Sequence, residues 1–126
     1  LSVAIALYLS LDIIGQTLVA ATAILGHMFP VFHNFKGGKG VATILGCGLI
    51  LAPLTILTLA VIWALIAGWK RISSLASLGA SVCAPLICWW LDPAYLLFFV
   101  LCAVFVAIRH RENITKLWEG KENSLL

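Results

Sequence analysis

The chemistry-bearing residues of this chain are densest in Gly26–Thr43, which reads G-H-M-F-P-V-F-H-N-F-K-G-G-K-G-V-A-T. Gly37, Gly38 and Gly40 surround Lys39, and apolar residues resume at Val41. Glycines let backbone N–H groups approach an anion closely, and a helix starting just after them adds the positive end of its dipole. Lys39 contributes a full charge. Glycine loop, lysine and helix N-terminus together describe a phosphate cradle. It is not a Walker A loop, which needs Gly at position 33 and Ser or Thr at position 40. His33 and Gly40 stand there, and a nucleotide triphosphatase is disfavoured. By spacing alone, the competing reading is a plain loop with lysines on the inner side of a membrane.

Two further clusters weigh against that plain reading. In Lys70-Arg71-Ile72-Ser73-Ser74-Leu75-Ala76-Ser77, Ser73 or Ser74 suits the N-cap of a helix, and the same position could aim a hydroxyl at an anion. In Arg109-His110-Arg111-Glu112-Asn113-Ile114, a helix would bring His110 and Asn113 to one face at i, i+3. Three polar clusters converging on one membrane face suggest a site for a small phosphorylated substrate beside the lipid phase.

The elements that must position these clusters are apolar. Of 126 residues, 63% are hydrophobic and 10% charged, with a mean hydropathy of +1.11. A soluble domain is about 45–50% apolar and about 25% charged, and a chain this short has too much surface to hide the excess. A soluble enzyme and a nucleic-acid-binding module are excluded; the expected fold is an all-α polytopic transmembrane helical bundle, a single integral membrane domain over residues 1–126.

A spanning helix needs about 20 apolar residues. Asp12–Gln16 breaks the first apolar run, leaving Leu1–Leu11 as the tail of one span and Thr17–Phe35 as the next. Gly40–Trp69 divides at Ala52-Pro53 into a short and a longer helix, and Ile72–Ile108 divides at Leu91-Asp92-Pro93. About six apolar segments result. This division puts every Lys and Arg on one face of the membrane, cytoplasmic by the positive-inside rule, and Asp12 and Asp92 on the other. Most of the tryptophans fall near span ends, where amphipathic rings favour the headgroup region. Cys47, Cys83, Cys88 and Cys102 lie inside apolar segments without C-x-x-C spacing and read as packing residues rather than metal ligands.

These motifs closely resemble the bacterial PlsY family of membrane acyl-phosphate:glycerol-3-phosphate acyltransferases. The run Gly26–Thr43 is similar to the family's second motif, Arg71–Ser77 to its serine-containing loop, and Arg109–Ile114 with Leu117 and Gly120-Lys121-Glu122 to its C-terminal third motif. The resemblance covers essentially the whole chain with motif order intact. It implies a seven-helix fold in a bacterial inner membrane with the conserved loops facing the cytoplasm. It also implies that one earlier span and the family's first motif, a loop carrying a functional serine and arginine, lie outside this chain. His33 departs from the apolar residue usual in the family and reads as incidental.

The resemblance further implies transfer of a fatty acyl group from acyl phosphate to the 1-hydroxyl of glycerol 3-phosphate, giving lysophosphatidic acid and phosphate. Gly37, Gly38, Lys39 and Gly40, with Ser73 and Ser74, would bind phosphate. His110 and Asn113 would be catalytic, and Glu122 a supporting residue. No metal or other cofactor is indicated, and the expected partners are the two substrates and membrane lipid. Acyl transfer from a mixed anhydride already has a good leaving group and chiefly needs orientation and charge stabilisation. His110 and a substrate phosphate oxygen are both candidates to take the hydroxyl proton, with the phosphate favoured and His110 and Asn113 positioning it. The H-x-x-x-x-D motif of other glycerolipid acyltransferases is absent, since Phe32, Gly38 and Thr115 stand five residues after the three histidines. The rival reading is a membrane transporter of a small phosphorylated solute, favoured by half-helices facing anions and disfavoured by the lack of charged residues mid-span.

Overall fold

The computed structural model describes residues 1–34 and 37–124. Among them are seven α-helices: α1 (Ser2–Tyr8), α2 (Ile13–Met28), α3 (Val41–Leu51), α4 (Pro53–Lys70), α5 (Ser73–Leu91), α6 (Leu96–Arg109) and α7 (Arg111–Trp118). Short 3-10 turns at Val31–His33 and Pro93–Tyr95 connect some of them. The expected six apolar segments correspond to α1–α6. Lys36, and the end of the expected second span at Phe35, lie outside the described residues.

Length separates these helices. Three elements are long and apolar enough to cross a membrane: Ile13–His33 (α2 with its following turn), α4 and α5. The pair α6 and α7 makes a fourth if taken as one bent span. Helix α3 has 11 residues and so rises only about 16 Å, too little to cross alone. It runs back into α4 at Ala52, whose φ of −145° breaks the helix, and Pro53 takes the first position of α4, where its missing N–H costs nothing. The split at Ala52-Pro53 is therefore real. It returns the chain so that the start of α3 and the end of α4 lie at the same end of the bundle.

The opposite end is tied by the acidic turn. The Asp92 carboxylate accepts from the Thr55 hydroxyl at 2.7 Å and the Thr55 N–H at 3.1 Å, capping the first turn of α4 from a distant segment. Nearby, the Tyr95 hydroxyl donates to the buried Gln16 amide oxygen at 2.7 Å. One expectation is corrected here. The break between the first two segments lies at Leu9–Asp12, between α1 and α2, and not at Asp12–Gln16: Asp12 caps α2, accepting from the Gly15 N–H at 2.8 Å. Helix α2 consequently starts earlier than the span expected from Thr17.

The core joins α2, α3, α4, α5 and α6 through Ile24, Met28, Leu51, Ile56, Ala84, Phe98 and Phe99, the last two rings packed edge-to-face at 5.0 Å. Helix α5 sits between α4 and α6 on a buried stripe of Ala76, Ala80, Ala84 and Cys88 at i, i+4 spacing, whose small side chains let backbones approach closely. The outer faces are apolar instead of polar. Leu57, Val61 and Leu65 along α4 are 57–68% exposed, which suits lipid and not water. The four cysteines are free thiols, three of them buried, as packing residues should be.

Candidate active site

The site is built where three chain segments meet. Helix α2 ends at Met28, and the chain returns to the bundle as a loop of glycines that only glycine can make. A Cβ on Gly37 would run into the carbonyls of His27 and Met28, and one on Gly38 would stand 2.9 Å from the His27 imidazole. Gly40 has φ of +78° and is pressed against Met28. It is the N-cap of α3, and among the described residues no side-chain hydrogen bond caps that helix. The first-turn N–H groups of α3 have no intrahelical partner, an arrangement that can receive an anion.

Lys39 projects from this loop to the far end of the chain. Its ammonium donates to the Asn113 amide oxygen at 2.6 Å. The other end of that amide donates to the Glu122 carboxylate at 2.6 Å, and the same carboxylate oxygen, Oε1, accepts from the Ser74 hydroxyl at 2.8 Å. The four residues come from the loop, α5, α7 and the segment after α7, so one network locks all three sequence clusters together. The hydrogen bond from Ser74, reinforced by that from Asn113, holds the Glu122 carboxyl below the ordinary carboxylate range. Oε2 of Glu122 is inaccessible and has no hydrogen-bond partner among the described residues.

His110 lies at the junction of α6 and α7. The chain does not continue there as one helix, as i, i+3 spacing assumed. It bends by 62°, with His110 in a non-helical conformation between the two. His110 is only 2% exposed, and its Nδ1 lies 2.8 Å from the Val106 carbonyl. A carbonyl can only accept, so Nδ1 carries the proton and Nε2 keeps its lone pair. Burial pushes the imidazole below the ordinary histidine value, and the nearby charge of Lys39 acts the same way. His110 is therefore neutral near pH 7, with Nε2 able to accept.

Lys39, Gly40, Ser73, Ser74, His110 and Glu122 line the polar end of a cavity of about 640 Å³. His27, Ser77, Ser81 and Asn123 also line it; the rest of its wall is apolar and runs along α3–α6, past Leu59 and Val106 to Ile56, Ala84 and Phe99. The distance from Ser73 to Ala84 along α5 is about 16 Å at helical rise. One continuous space thus joins a cationic, N–H-rich end to a long apolar one.

The sequence-based site residues fare as follows. Gly37 and Gly38 form the loop, and Lys39 and Gly40 reach the cavity. Ser73 lines the cavity as well, but neither serine is the N-cap of α5. That position belongs to Ile72, because Arg71 ends α4 in a left-handed conformation (φ 55°) and Ile72 is extended. Ser74 is buried with its proton committed to Glu122. Asn113 is engaged at both ends of its amide, and His33 is exposed and away from the cavity. Two residues went unread. His27 lines the cavity; its only signal was its place one residue after Gly26 in the motif. Arg109 donates to the Gly37 carbonyl at 2.9 Å and the Gly38 carbonyl at 3.3 Å. In the sequence it passed for one more inner-face cation.

Residues 1–120 match the family model described as glycerol-3-phosphate acyltransferase. A glycerol-3-phosphate acyltransferase of Hahella chejuensis (strain KCTC 2396) is 54% identical over 124 residues, 98% of this chain and 64% of that one. One from Neisseria meningitidis serogroup C (strain 053442) is 47% identical over 109 residues, 85% of this chain and 54% of that protein. Two crystal structures of PlsY (YgiH), an integral membrane glycerol 3-phosphate acyltransferase, superpose with a TM-score of 0.89 at 37% identity. They are a glycerol 3-phosphate form and a lysophosphatidic acid form, and 97% of this chain covers 62% and 64% of them respectively. The chain spans less than two thirds of the length of these relatives.

Proposed function

Since the chain belongs to the glycerol-3-phosphate acyltransferase family and folds as a multi-pass helical membrane protein of the PlsY type, we propose that the full-length protein acylates glycerol 3-phosphate. The acyl donor is an acyl phosphate, and the products are lysophosphatidic acid and phosphate. The observation that carries this reading is the single cavity. Its polar end offers Lys39 and the uncapped N-terminus of α3, and its long apolar wall suits an alkyl chain. A phosphorylated solute without a chain would leave that wall unused. The expected placement is a bacterial inner membrane with the Lys39 end of the bundle facing the cytoplasm, in keeping with the basic residues gathered there.

In the proposed reaction, the 1-hydroxyl oxygen of glycerol 3-phosphate attacks the carbonyl carbon of the acyl phosphate. The bond from that carbon to the bridging phosphate oxygen breaks, and phosphate leaves. The hydroxyl proton goes to a base, for which a substrate phosphate oxygen and His110 Nε2 are the candidates. Lys39 and the amides of the Gly37–Gly40 loop hold a phosphate group and offset its charge. Asn113 positions Lys39 instead of touching substrate, and Glu122 with Ser74 holds Asn113. Ser73, which lines the cavity, joins the phosphate site with its hydroxyl.

The test is acyl transfer by the full-length protein in proteoliposomes, with palmitoyl phosphate, labelled glycerol 3-phosphate and a palmitoyl-CoA control. Labelled lysophosphatidic acid formed from the acyl phosphate and not from the thioester is the expected result. A folded protein that makes none, yet accumulates labelled glycerol 3-phosphate inside vesicles, is a transporter.

A further inference from the structure

We infer that Arg109 is a positioning residue that sets which way the peptide groups of the glycine loop face, and so makes the loop an anion site. The inference rests on the phosphate-binding reading of that loop. In a trans peptide, the C=O and the following N–H point in opposite directions. Arg109 draws the Gly37 and Gly38 carbonyls to its own side with Nη2 and Nε, at 2.9 and 3.3 Å. The N–H groups of Gly38 and Lys39, which belong to those same two peptides, are thereby turned away from the guanidinium. Lys39 and the next residue, Gly40, stand on the cavity wall, whereas Arg109 is outside that wall among the described residues.

The geometry requires arginine. Two parallel donors on a rigid plane match two successive carbonyls, and a lysine ammonium on a flexible stem does not hold the pair in one orientation. The plane itself is fixed by the Phe29 ring, 5.1 Å from the guanidinium carbon, a cation–π distance. On its other side the loop is closed by the carbonyls of His27 and Met28 against Gly37. With glycine at both clamped positions, the backbone has wide freedom to flip either peptide, so orientation has to be imposed from outside. No carboxylate among the described residues pairs with Arg109.

The experiment compares the full-length wild-type protein with Arg109→Ala and Arg109→Lys. Steady-state kinetics in proteoliposomes would be paired with calorimetric titration of glycerol 3-phosphate in detergent. Loss of a charged two-point clamp predicts a KM and a dissociation constant for glycerol 3-phosphate raised about tenfold to a hundredfold in Arg109→Ala. The KM for palmitoyl phosphate's chain-dependent binding should change far less. Arg109→Lys should recover little, and added methylguanidinium should restore affinity to Arg109→Ala but not to wild type, a rescue that a folding defect would not show. Unchanged glycerol 3-phosphate affinity in Arg109→Ala, or full function in Arg109→Lys, overturns the inference. Because binding is read apart from turnover, tight binding by wild type without acyl transfer counts against the acyltransferase reading alone. Binding by neither protein defeats both.

Discussion

The ammonium of Lys39 rests 2.6 Å from the amide oxygen of Asn113, 74 residues further along the chain. That contact joins the glycine loop to α7, and through Glu122 and Ser74 it reaches α5. It makes Asn113 a holder of Lys39, a role with a measurable signature.

If Asn113 acts through Lys39, the two substitutions are not independent. Lys39→Ala should lower kcat/KM for acyl transfer about a hundredfold or more, the loss expected for a preorganised cation at a phosphate. Asn113→Ala should cost about tenfold by itself, and the double variant should be no worse than Lys39→Ala. Initial rates in proteoliposomes give the cycle; a fully additive result would separate the two roles.

His110 predicts a pH dependence with a definite sign. Its folded value lies below the ordinary histidine value because the ring is buried. If its Nε2 accepts the proton, kcat/KM rises with pH through that lowered value and is flat above it, and His110→Gln abolishes the limb. Stability moves in the same direction. Between the unfolded and folded values, the unfolded chain binds the proton and the folded one does not, so acidification below about pH 6.5 favours unfolding until the folded ring is protonated too. Melting curves in detergent across that window should show a fall that His110→Gln lessens.

Gly37→Ala should abolish most activity and lower the melting temperature, because the new methyl meets two backbone carbonyls that cannot step aside. Gly46 and Gly68 have nothing within 4 Å of an added Cβ, so Gly46→Ala and Gly68→Ala should leave both measurements nearly unchanged. An equal response at all three positions would show that the loop is not tightly packed.

The apolar wall should determine donor length. Ala84 is buried at the deep end of the cavity, and Ala84→Phe places a ring there. The expected outcome is about a tenfold drop in kcat/KM for palmitoyl phosphate, with an eight-carbon acyl phosphate changed by less than about twofold. Parallel losses for both donors would put the alkyl chain elsewhere.

Much of this architecture was legible in the sequence because hydropathy and proline act locally. The runs that became α4 and α5, and the break at Ala52-Pro53, follow from residues adjacent in the chain. The limits of α2 were harder, since Asp12 reads as an interruption until its carboxylate is seen capping Gly15. In the site, glycine spacing announced the loop, but the roles of the polar residues depended on distant partners. Ser73 and Ser74 look alike in sequence. Only the docking of Glu122 makes Ser74 a donor to a carboxylate, and only the 62° bend at His110 parts that residue from the helix face it seemed to share with Asn113. Arg109 was hidden for the same reason, its carbonyl partners lying more than 70 residues upstream.

The network from Lys39 to Glu122 also imposes an order on biogenesis. The glycine loop and Ser74 leave the ribosome well before Asn113 and Glu122, which complete the site from the last described helix and the segment beyond it. A chain still being threaded into the bilayer therefore has its glycine loop but not the residues that hold Lys39 in place. The network closes last, once α7 and the segment after it have emerged.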